Sequence, residues 1–335
     1  MRSCMNRRQF LARVSEGAAA LGLGCRAVGA TGAATATQPA GPEMTIRDLP
    51  KKPLGRTGYL VGPLSIGLAG MGHAFFTPEE YEPVVHAAID AGLTYLDIAP
   101  NYDVSEERLG PVMEKRRREV FLAGKTEAPS RDGTLRLIER SLRRMRTDRL
   151  DLGHLHNVGQ FETAQILGKD GMLDGLRTAR DRGLIRFIGA TGHQNPSRFI
   201  PVLETGEIDV LMVVINFVDR HIYDFERRVL PLARKKGTAI VAMKVLGGVQ
   251  GGWDGYAKRL PGRLIGPMYT RAIRYAMSVP GVVTMVLGIK SIEELRQAIR
   301  AVREYKPFTP AEAGAVEEQG RELAGQWGEH FGPAT

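Results

Sequence analysis

Eight short apolar segments alternate with longer amphipathic segments along the chain from residue 45 onward. The apolar segments have the length of buried strands, and the longer ones carry apolar residues at helical spacing. This alternation predicts βαβ units and a parallel sheet. Eight units in about 250 residues fit a closed α/β TIM barrel, (β/α)8. The predicted strands are Leu64–Leu68, Thr94–Asp97, Val120–Lys125, Leu150–His156, Ile185–Thr191, Val210–Asn216, Ala239–Lys244 and Val282–Gly288.

Local signals mark helix ends and a small hairpin. Thr77 is followed by Pro78, Glu79 and Glu80, which is typical of a helix N-terminus. The predicted helices are Pro78–Ala91, Thr134–Met145, Met172–Arg182, Phe225–Lys236 and Ile292–Tyr305. The residues before the first strand predict a β-hairpin, which would plug the N-terminal end of the barrel. No G-x-G-x-x-G segment lies between an early strand and a helix, which argues against an open dinucleotide-binding sheet.

Residues 1–30 have the layout of an export signal. Four arginines precede a weakly apolar stretch from Val14 to Gly24, and small residues follow. N-R-R-Q-F-L at 6–11 resembles the twin-arginine signal, which directs folded proteins across the bacterial inner membrane. Glu16 leaves an amphipathic N-terminal helix as the alternative, and Cys25 leaves a lipidation site open. We expect a twin-arginine signal peptide over 1–30, a disordered linker over 31–44, a barrel over 45–325 and a periplasmic location.

The net charge of +9 changes once this segment is set apart. Residues 1–30 hold five arginines and one glutamate, a net of +4, so +9 less +4 leaves about +5 for the rest. Both cysteines also lie there, which excludes a disulfide framework or a cysteine-built metal cluster in the remaining chain. Basic runs at 115–118 and 234–236 lack interleaved aromatic residues, so we expect no nucleic-acid partner. No run of eighteen apolar residues occurs, so we expect no stable membrane anchor.

Polar side chains stand at the ends of three consecutive predicted strands, where a barrel enzyme has its chemistry. Asp97 ends the second strand, and Tyr102 follows five residues later in L-D-I-A-P-N-Y. Lys125 ends the third strand and His156 ends the fourth, although His154 is an equal candidate by position alone. A closed barrel would bring these strand ends together.

These residue types suit hydride transfer coupled to proton transfer. Tyr102 is a candidate acid for a carbonyl oxygen, but an ordinary tyrosine is too weak an acid at neutral pH. A neighbouring ammonium such as that of Lys125 stabilises phenolate, and Asp97 can hold that ammonium charged and in place. His156 can orient the substrate oxygen or relay the proton.

These motifs together resemble the aldo-keto reductases, over residues 52–305. P-L-G-R-T-G at 53–58 and I-G-L-A-G-M-G at 66–72 resemble that family's opening hairpin and first strand. L-D-I-A-P-N-Y, K-T at 125–126, L-H at 155–156 and R-G-L-I-R-F-I-G-A-T-G-H at 182–193 resemble its later segments. The resemblance implies a NAD(P)H-dependent carbonyl reductase on a (β/α)8 barrel. It also implies a catalytic tetrad formed by Asp97, Tyr102, Lys125 and His156.

The resemblance further implies a dinucleotide site in which some family contacts are replaced. Met243 stands where the family has an aromatic residue stacked on the nicotinamide. Lys290 and Ser291 would face a 2′-phosphate, which favours NADP(H) over NAD(H). The implied cofactor-binding residues are Thr191, Asn216, Met243, Leu246, Gly247, Gly288, Lys290, Ser291 and Glu294. A branch of the family carries a cysteine-rich iron–sulfur extension, but no cysteine follows Cys25, so we expect no iron–sulfur cluster and no metal.

The sequence thus predicts an enzyme that reduces a small-molecule aldehyde or ketone, with a sugar-derived carbonyl as one candidate. We expect the twin-arginine export machinery to carry it folded around its cofactor. His73, Phe75 and Phe76 are candidate walls of the site, and the loop over 248–267, with Trp253 and Tyr256, is a candidate lid. Two other functions stay open: a nicotinamide-binding regulatory subunit, and a barrel lyase or isomerase that uses bound nucleotide for internal redox.

Overall fold

Eight parallel strands close into a barrel in the computed structural model, which describes residues 44–72, 76–251, 260 and 262–335. The barrel strands follow one another in chain order, and the last pairs with the first through Met285 and Leu64. A hairpin of β1 (Lys52–Pro53) and β2 (Leu60–Val61) precedes the barrel strands β3 (Leu64–Gly67), β4 (Tyr95–Asp97), β5 (Phe121–Thr126), β6 (Leu150–Leu155), β7 (Ile185–Gly192), β8 (Val210–Val214), β9 (Ala239–Met243) and β10 (Val282–Gly288). The predicted (β/α)8 barrel is confirmed.

The hairpin lies at the N-terminal end of the barrel, as predicted. β1 and β2 pair antiparallel, and Gly58 between them has a φ of 74°, which favours glycine. The Tyr59 ring lies 4.8 Å from the ring of Phe121, the first residue of β5. Gly55 passes so close to Ala239, where β9 begins, that a Cβ atom there would lie 3.0 Å from the Ala239 nitrogen. The hairpin therefore closes the end of the barrel opposite to the predicted site.

Helices cover the outside of the barrel, and two of them begin where the N-cap signals of the sequence place them, whereas the helix predicted to begin at Thr134 begins at Arg131. Thr77 caps the first helix by accepting a hydrogen bond from Glu80 N, and Ser291 caps a later one by accepting from Glu294 N. The described helices of four or more residues are α1 (Pro78–Asp90), α2 (Ser105–Arg116), α3 (Arg131–Arg144), α4 (Thr163–Leu167), α5 (Met172–Asp181), α6 (Phe199–Glu204), α7 (Phe225–Arg228), α8 (Leu230–Lys235), α9 (Pro267–Ser278), α10 (Ile292–Arg303) and α11 (Pro310–Trp327).

One predicted helix, over 225–236, is divided into α7 and α8 at Val229. Pro231 stands in the first turn of α8 and has no N–H to donate to a carbonyl one turn earlier. The chain therefore ends one short helix and begins another, with the proline in the first turn, where a missing N–H costs least.

The chain continues past the predicted end of the barrel at residue 325. After α11 ends at Trp327, residues 328–335, called the C-terminal segment below, cross the rim of the barrel. Phe331 N donates to the Tyr223 hydroxyl at 2.6 Å, and Asn195 N donates to the Pro333 carbonyl at 2.8 Å. The C-terminal segment is thus fastened to loops that follow β7 and β8.

Several predicted features lie outside the described residues. These are the export signal, the linker up to residue 43, and the side chains of His73, Phe75, Trp253 and Tyr256. Within the described part of the chain, no helix has both the length and the apolar composition needed to span a bilayer.

Candidate active site

Three consecutive strands place the predicted catalytic residues at the C-terminal rim of the barrel. Asp97 is the last residue of β4, Lys125 is the fifth residue of β5, and His156 directly follows β6. All three side chains are buried, whereas Tyr102, in the turn after β4, is half-buried. The closed barrel therefore gathers residues that are up to 59 positions apart in the chain.

Lys125 forms the centre of this group. Its Nζ donates to both Asp97 oxygens at 2.7 Å and to the Ile98 carbonyl at 2.9 Å. The same Nζ lies 4.8 Å from the centroid of the Tyr102 ring. Burial lowers the pKa of Lys125, and the Asp97 carboxylate opposes that shift by favouring the ammonium. An ammonium held beside a tyrosine ring in this way can stabilise a phenolate.

A close approach of two loops positions Tyr102. The Gly72 carbonyl accepts from Val104 N at 3.1 Å, so the loop after β3 lies against the turn that carries the tyrosine. A Cβ atom on Gly72 would overlap the Tyr102 carbonyl oxygen, so a larger residue would push the turn away. The sequence reasoning did not single out Gly72, although it lies in the I-G-L-A-G-M-G segment.

The two candidate histidines on β6 have different surroundings. His154 is fully buried inside the barrel, pairs in register with Lys125, and has its ring against Gly189. Its Nε2 lies 3.4 Å from the Tyr95 hydroxyl, and burial holds its pKa well below the usual range. His156 lies two residues further toward the rim, with its ring edge-on to Tyr102 at a centroid distance of 6.4 Å. The structure therefore brings His156, rather than His154, to the tyrosine.

A carboxylate that sequence reasoning missed stands behind His156. Glu127 Oε2 lies 3.4 Å from His156 Nδ1, and it also accepts from Asn101 Nδ2 at 3.3 Å. Burial lowers the pKa of His156, while Glu127 acts in the opposite direction. The available signal was its place two residues after Lys125, on a loop of the same rim.

A cavity of about 340 Å³ begins beside Asp97 and Tyr102 and runs toward the start of α10. A volume of this size is within the range of small-molecule sites. Five of the predicted cofactor residues line it: Met243, Leu246, Gly288, Lys290 and Glu294. His193, Tyr269 and Gln297 also line it, and His193 is held by Asn157 Oδ1, 3.2 Å from its Nδ1.

The other four predicted cofactor residues do not line the cavity. Thr191 directs its hydroxyl at the Met243 sulfur, 3.7 Å away, and Ser291 caps α10. Asn216 is fully buried and uses its side-chain amide within a turn: Nδ2 donates to the Lys244 carbonyl, and Oδ1 accepts from Asp219 N. These three side chains hold the loops that shape the cavity.

Gly247, the fourth, packs against the end of α11. A Cβ atom on Gly247 would overlap the Trp327 ring, and one on Gly248 would lie 3.3 Å from Phe331. Both glycines have left-handed backbone, with φ values of 73° and 72°. The loop after β9 is therefore supported from behind by aromatic side chains of the C-terminal region.

The residues present fit an extended dinucleotide. Met243 gives an apolar surface in the cavity that Tyr102 also lines, and the glycine loop after it allows close approach of a ligand to the backbone. The far end of the cavity has Lys290 at the N-terminus of the twelve-residue helix α10, a position that favours anions. The described side chains include no cluster of His, Cys, Asp or Glu placed to bind a metal ion.

Solved structures with this architecture share the barrel. An aldo-keto reductase from Bacillus halodurans in its holo form superposes with a TM-score of 0.66 at 22% identity, over 80% of this chain and 95% of the other. An aldo/keto reductase from Klebsiella pneumoniae in complex with NADP and acetate gives a TM-score of 0.63 at 20% identity, over 81% of this chain and 95% of the other. At these identities the likeness shows the fold.

Sequence relatives cover most of the chain. The uncharacterized oxidoreductase YqkF of Bacillus subtilis is 24% identical over 289 residues, which is 75% of this chain and 90% of the relative. Pyridoxal 4-dehydrogenase of Microbacterium luteolum is 25% identical over 325 residues, 76% and 94% of the two chains. D-threo-aldose 1-dehydrogenase of Pseudomonas sp is 25% identical over 223 residues, 56% and 67% of the two chains.

The family model for the aldo/keto reductase family matches residues 63–255, more than half of the chain. That range includes β3 through β9 and all four residues of the predicted tetrad. Together with the closed barrel and the residues gathered at its rim, this match establishes that the chain belongs to the aldo/keto reductase family of oxidoreductases.

Proposed function

We propose that this protein is a NADP(H)-dependent oxidoreductase that interconverts a small aldehyde or ketone with the corresponding alcohol. The observation that carries the proposal is the position of Lys125 Nζ, bonded to both oxygens of Asp97 and 4.8 Å from the Tyr102 ring. This arrangement suits a tyrosine that must release and regain a proton near neutral pH.

The chain's own residues supply the proton chemistry. When bound, the reduced nicotinamide supplies the hydride that the carbonyl carbon accepts. Tyr102 gives its hydroxyl proton to the substrate oxygen as the alcohol forms, and Lys125 stabilises the phenolate that remains. Asp97 keeps the lysine ammonium in place, and His156 orients the substrate oxygen beside the tyrosine. Solvent then returns the proton to Tyr102.

The choice of NADP(H) rests on the far end of the cavity. Lys290 lines the cavity at the start of α10 and can meet a 2′-phosphate, and the relative from Klebsiella pneumoniae is a complex with NADP. Glu294 lies 3.9 Å from Lys290 Nζ and also lines the cavity, so this carboxylate would compete with the phosphate for the lysine. NAD(H) is the less favoured cofactor.

A sugar-derived carbonyl is the substrate class that we favour. One relative is named for an aldose and another for pyridoxal, and both are named dehydrogenases. Buried polar groups at the rim, among them His156 and the cavity-lining His193, suit a polar substrate better than an apolar one.

We further propose that the twin-arginine machinery exports this protein to the periplasm after it has folded around its cofactor. The paired arginines at 7 and 8, with the apolar stretch that follows, support this route. A free dinucleotide is not expected outside the cytoplasm, so the cofactor must be retained and recycled within the site. Replacing Arg7 and Arg8 by lysine should leave the protein in the cytoplasm, as measured by cell fractionation.

Purification of the protein from the periplasmic fraction tests the proposed function. We expect a co-purifying NADP(H), identified by mass spectrometry, and turnover of members of a carbonyl and sugar panel. A bound nucleotide without turnover of any carbonyl would favour the regulatory subunit. Substrate conversion in which added nicotinamide is never consumed, and no second substrate is oxidised, would favour the lyase or isomerase.

A further inference from the structure

A buried contact between Asp219 and His330 joins the C-terminal segment to the turn after β8. Asp219 begins that turn with a fully buried side chain, and the His330 side chain is 8% exposed. His330 Nε2 lies 3.5 Å from Asp219 Oδ1, which is the separation of an ion pair. Both atoms are shielded from solvent, and neither has a hydrogen-bond partner among the described residues. Each of these two buried atoms is thus left facing the other.

The other contacts of the two side chains fix where a proton can lie. His330 Nδ1 is 3.1 Å from the Gly328 carbonyl oxygen, which only accepts hydrogen bonds, so Nδ1 carries a proton. Asp219 Oδ2 accepts from Asn216 Nδ2 at 2.6 Å. A neutral His330 therefore points its Nε2 lone pair at Asp219 Oδ1, and an ionised Asp219 points a second lone pair back. One proton between the two atoms removes this conflict.

This shared proton has a defined pH range. Burial raises the pKa of Asp219 to about 7, and burial lowers the pKa of His330, so the pair holds one proton rather than two near neutral pH. Because the pKa of Asp219 in the folded chain is above its ordinary value of 3.8, protonation favours the fold. That contribution disappears as the pH rises through about 7, where two hydrogen-bond acceptors come to face each other without water.

The neighbouring groups do not mask this titration. The charged and titratable side chains around the pair come from the loops after β7, β8 and β9, the C-terminal segment and α11: His193, Tyr223, Lys244, Arg263, Glu329 and Glu317. Burial raises the pKa of Tyr223 to about 12 and holds that of His193 well below its usual range. Arg263 favours the Asp219 carboxylate and so acts against the shared proton, whereas burial favours it.

The contact is placed where it can act on the cavity. The His330 ring lies 4.1 Å from the ring of Phe331 and 5.3 Å from that of Trp327, measured between centroids. Phe331 in turn lies 5.4 Å from the His193 ring and supports Gly248 from behind. His193 and Gly248 both line the cavity. The attachment of His330 therefore holds the aromatic side chains that support the cavity wall.

We propose that the contact between Asp219 and His330 is a pH-sensitive latch, which holds the C-terminal segment against the cavity wall while the two side chains share a proton and releases it when that proton is lost to solvent. A closed latch keeps the loop after β9 in place around a bound dinucleotide, and an open latch lets the dinucleotide leave faster. This inference rests on the proposed function for the identity of the ligand, whereas the latch belongs to the chain itself.

The first test follows the C-terminal segment directly, in the protein as purified. The chain has two tryptophans, so Trp253→Phe leaves Trp327, beside His330, as the sole reporter. We expect the fluorescence anisotropy of Trp327 to fall in one step, centred near pH 7, as the pH is raised from 6 to 9. The fall reports that the end of α11 and the segment after it have become more mobile.

Two substitutions in the same background should fix the latch in opposite states. Asp219→Asn keeps an oxygen for Asn216 and offers an N–H to His330 Nε2 at every pH, so the step should vanish and the anisotropy stay high. His330→Leu leaves the Asp219 carboxyl without this partner, so the anisotropy should be low throughout. His221→Gln is the matched control, because His221 lies in the same turn, 3.7 Å from the Glu317 carboxylate, and its variant should keep the step.

The second test measures release of NADPH by stopped-flow displacement at pH 6 and pH 9. We expect the dissociation rate of the wild type to be about tenfold higher at pH 9, which corresponds to the loss of one strong hydrogen bond. The rate should stay low at both pH values in Asp219→Asn and be high at both in His330→Leu. His221→Gln should behave as the wild type does.

The outcomes separate the latch from the proposed function. Absence of the tryptophan step in the wild type, or its persistence in Asp219→Asn, would overturn the latch. A step accompanied by NADPH release that is equally fast at both pH values would overturn the effect of the latch on the dinucleotide. Failure of the wild type to bind either NADPH or NADH would instead defeat the proposed function, and Trp327 would still report whether the latch opens.

Discussion

The rim of this barrel has two sides that are built differently. On the side of β4 to β6, called the catalytic side, charged and polar side chains touch one another: Asp97, Lys125, Glu127 and His156, with Tyr102 beside them. On the side of β7 to β10, called the cofactor side, the cavity wall consists largely of backbone, glycine and apolar side chains. Under the proposed function, chemistry on the first side would depend on single functional groups, whereas binding on the second would depend on the shape of loops.

The same contrast explains how the two sides are supported. The catalytic side is held by the strands themselves, because Asp97 and Lys125 lie within paired strands. The cofactor side is held by the C-terminal segment and by buried turns such as that of Asn216. We therefore expect substitutions on the catalytic side to change the rate of the chemical step, and substitutions on the cofactor side to change affinity for the dinucleotide.

The largest effect should come from Tyr102→Phe. Loss of the proton donor should lower kcat by about 10³-fold or more, while the dissociation constant of the dinucleotide changes little. Single-turnover kinetics and a fluorescence titration measure the two quantities. Tyr59→Phe, in the hairpin at the opposite end of the barrel, is the matched control and should keep the wild-type rate. Undiminished turnover in Tyr102→Phe would remove the tyrosine from the mechanism.

Lys125→Met should reduce both stability and activity. It leaves the buried Asp97 carboxylate without its partner, which costs about 3–5 kcal/mol in the free energy of unfolding. The double variant Asp97→Asn with Lys125→Met should recover much of that stability, measured by chemical denaturation, but none of the turnover. Recovery of turnover together with stability would mean that the pair serves the fold alone.

Phe331→Ala should act on the cofactor side. Phe331 supports Gly248 and lies 5.4 Å, between ring centroids, from His193, so its loss should loosen the loop that borders the cavity. We expect dinucleotide affinity to weaken about tenfold, with kcat at saturating cofactor nearly unchanged. Phe308→Ala, which removes a ring packed on Arg274 away from this loop, is the control. A fall in kcat with unchanged affinity would erase the distinction between the two sides.

The smallest effect should come from Lys290→Ala. Loss of the cation at the start of α10 should weaken NADP(H) binding roughly five- to tenfold and leave NAD(H) binding almost unchanged, because one charge-assisted hydrogen bond is lost. Isothermal titration with both dinucleotides gives the ratio, and Lys306→Ala on the exposed surface serves as the control. An equal loss of affinity for NADP(H) and NAD(H) would show that Lys290 does not bind the 2′-phosphate.

The two sides also differ in how far the sequence predicts them. Strand periodicity places Asp97, Lys125 and His156 at neighbouring strand ends, because a parallel barrel converts chain order into spatial order. By contrast, Asn216 Nδ2 donates to Asp219 and to the Lys244 carbonyl. The Lys244 carbonyl is 28 positions away in the chain, so only folding brings it to Asn216. Likewise, the contact of Phe331 with Tyr223 joins residues 108 positions apart, and no local pattern indicates it.

On the catalytic side, Glu127 is the residue whose role the sequence does not predict. Its position near Lys125 is visible in the sequence, but its role depends on the direction of a side chain in an irregular loop. Only the packed structure shows that its carboxylate points at His156 Nδ1 and accepts from Asn101. The fold and the strand-end residues are therefore predictable from periodicity, whereas the contacts that tune those residues are not.

The central claim is that Tyr102 supplies the proton that accompanies hydride transfer from a nicotinamide. Reduction of an accepted carbonyl with NADPH that carries deuterium at both C4 positions is the direct test. We expect the product to carry one deuterium on the former carbonyl carbon per cofactor oxidised, and Tyr102→Phe to bind the labelled cofactor without transferring the label. Product that lacks deuterium, or transfer at the wild-type rate in Tyr102→Phe, would contradict it.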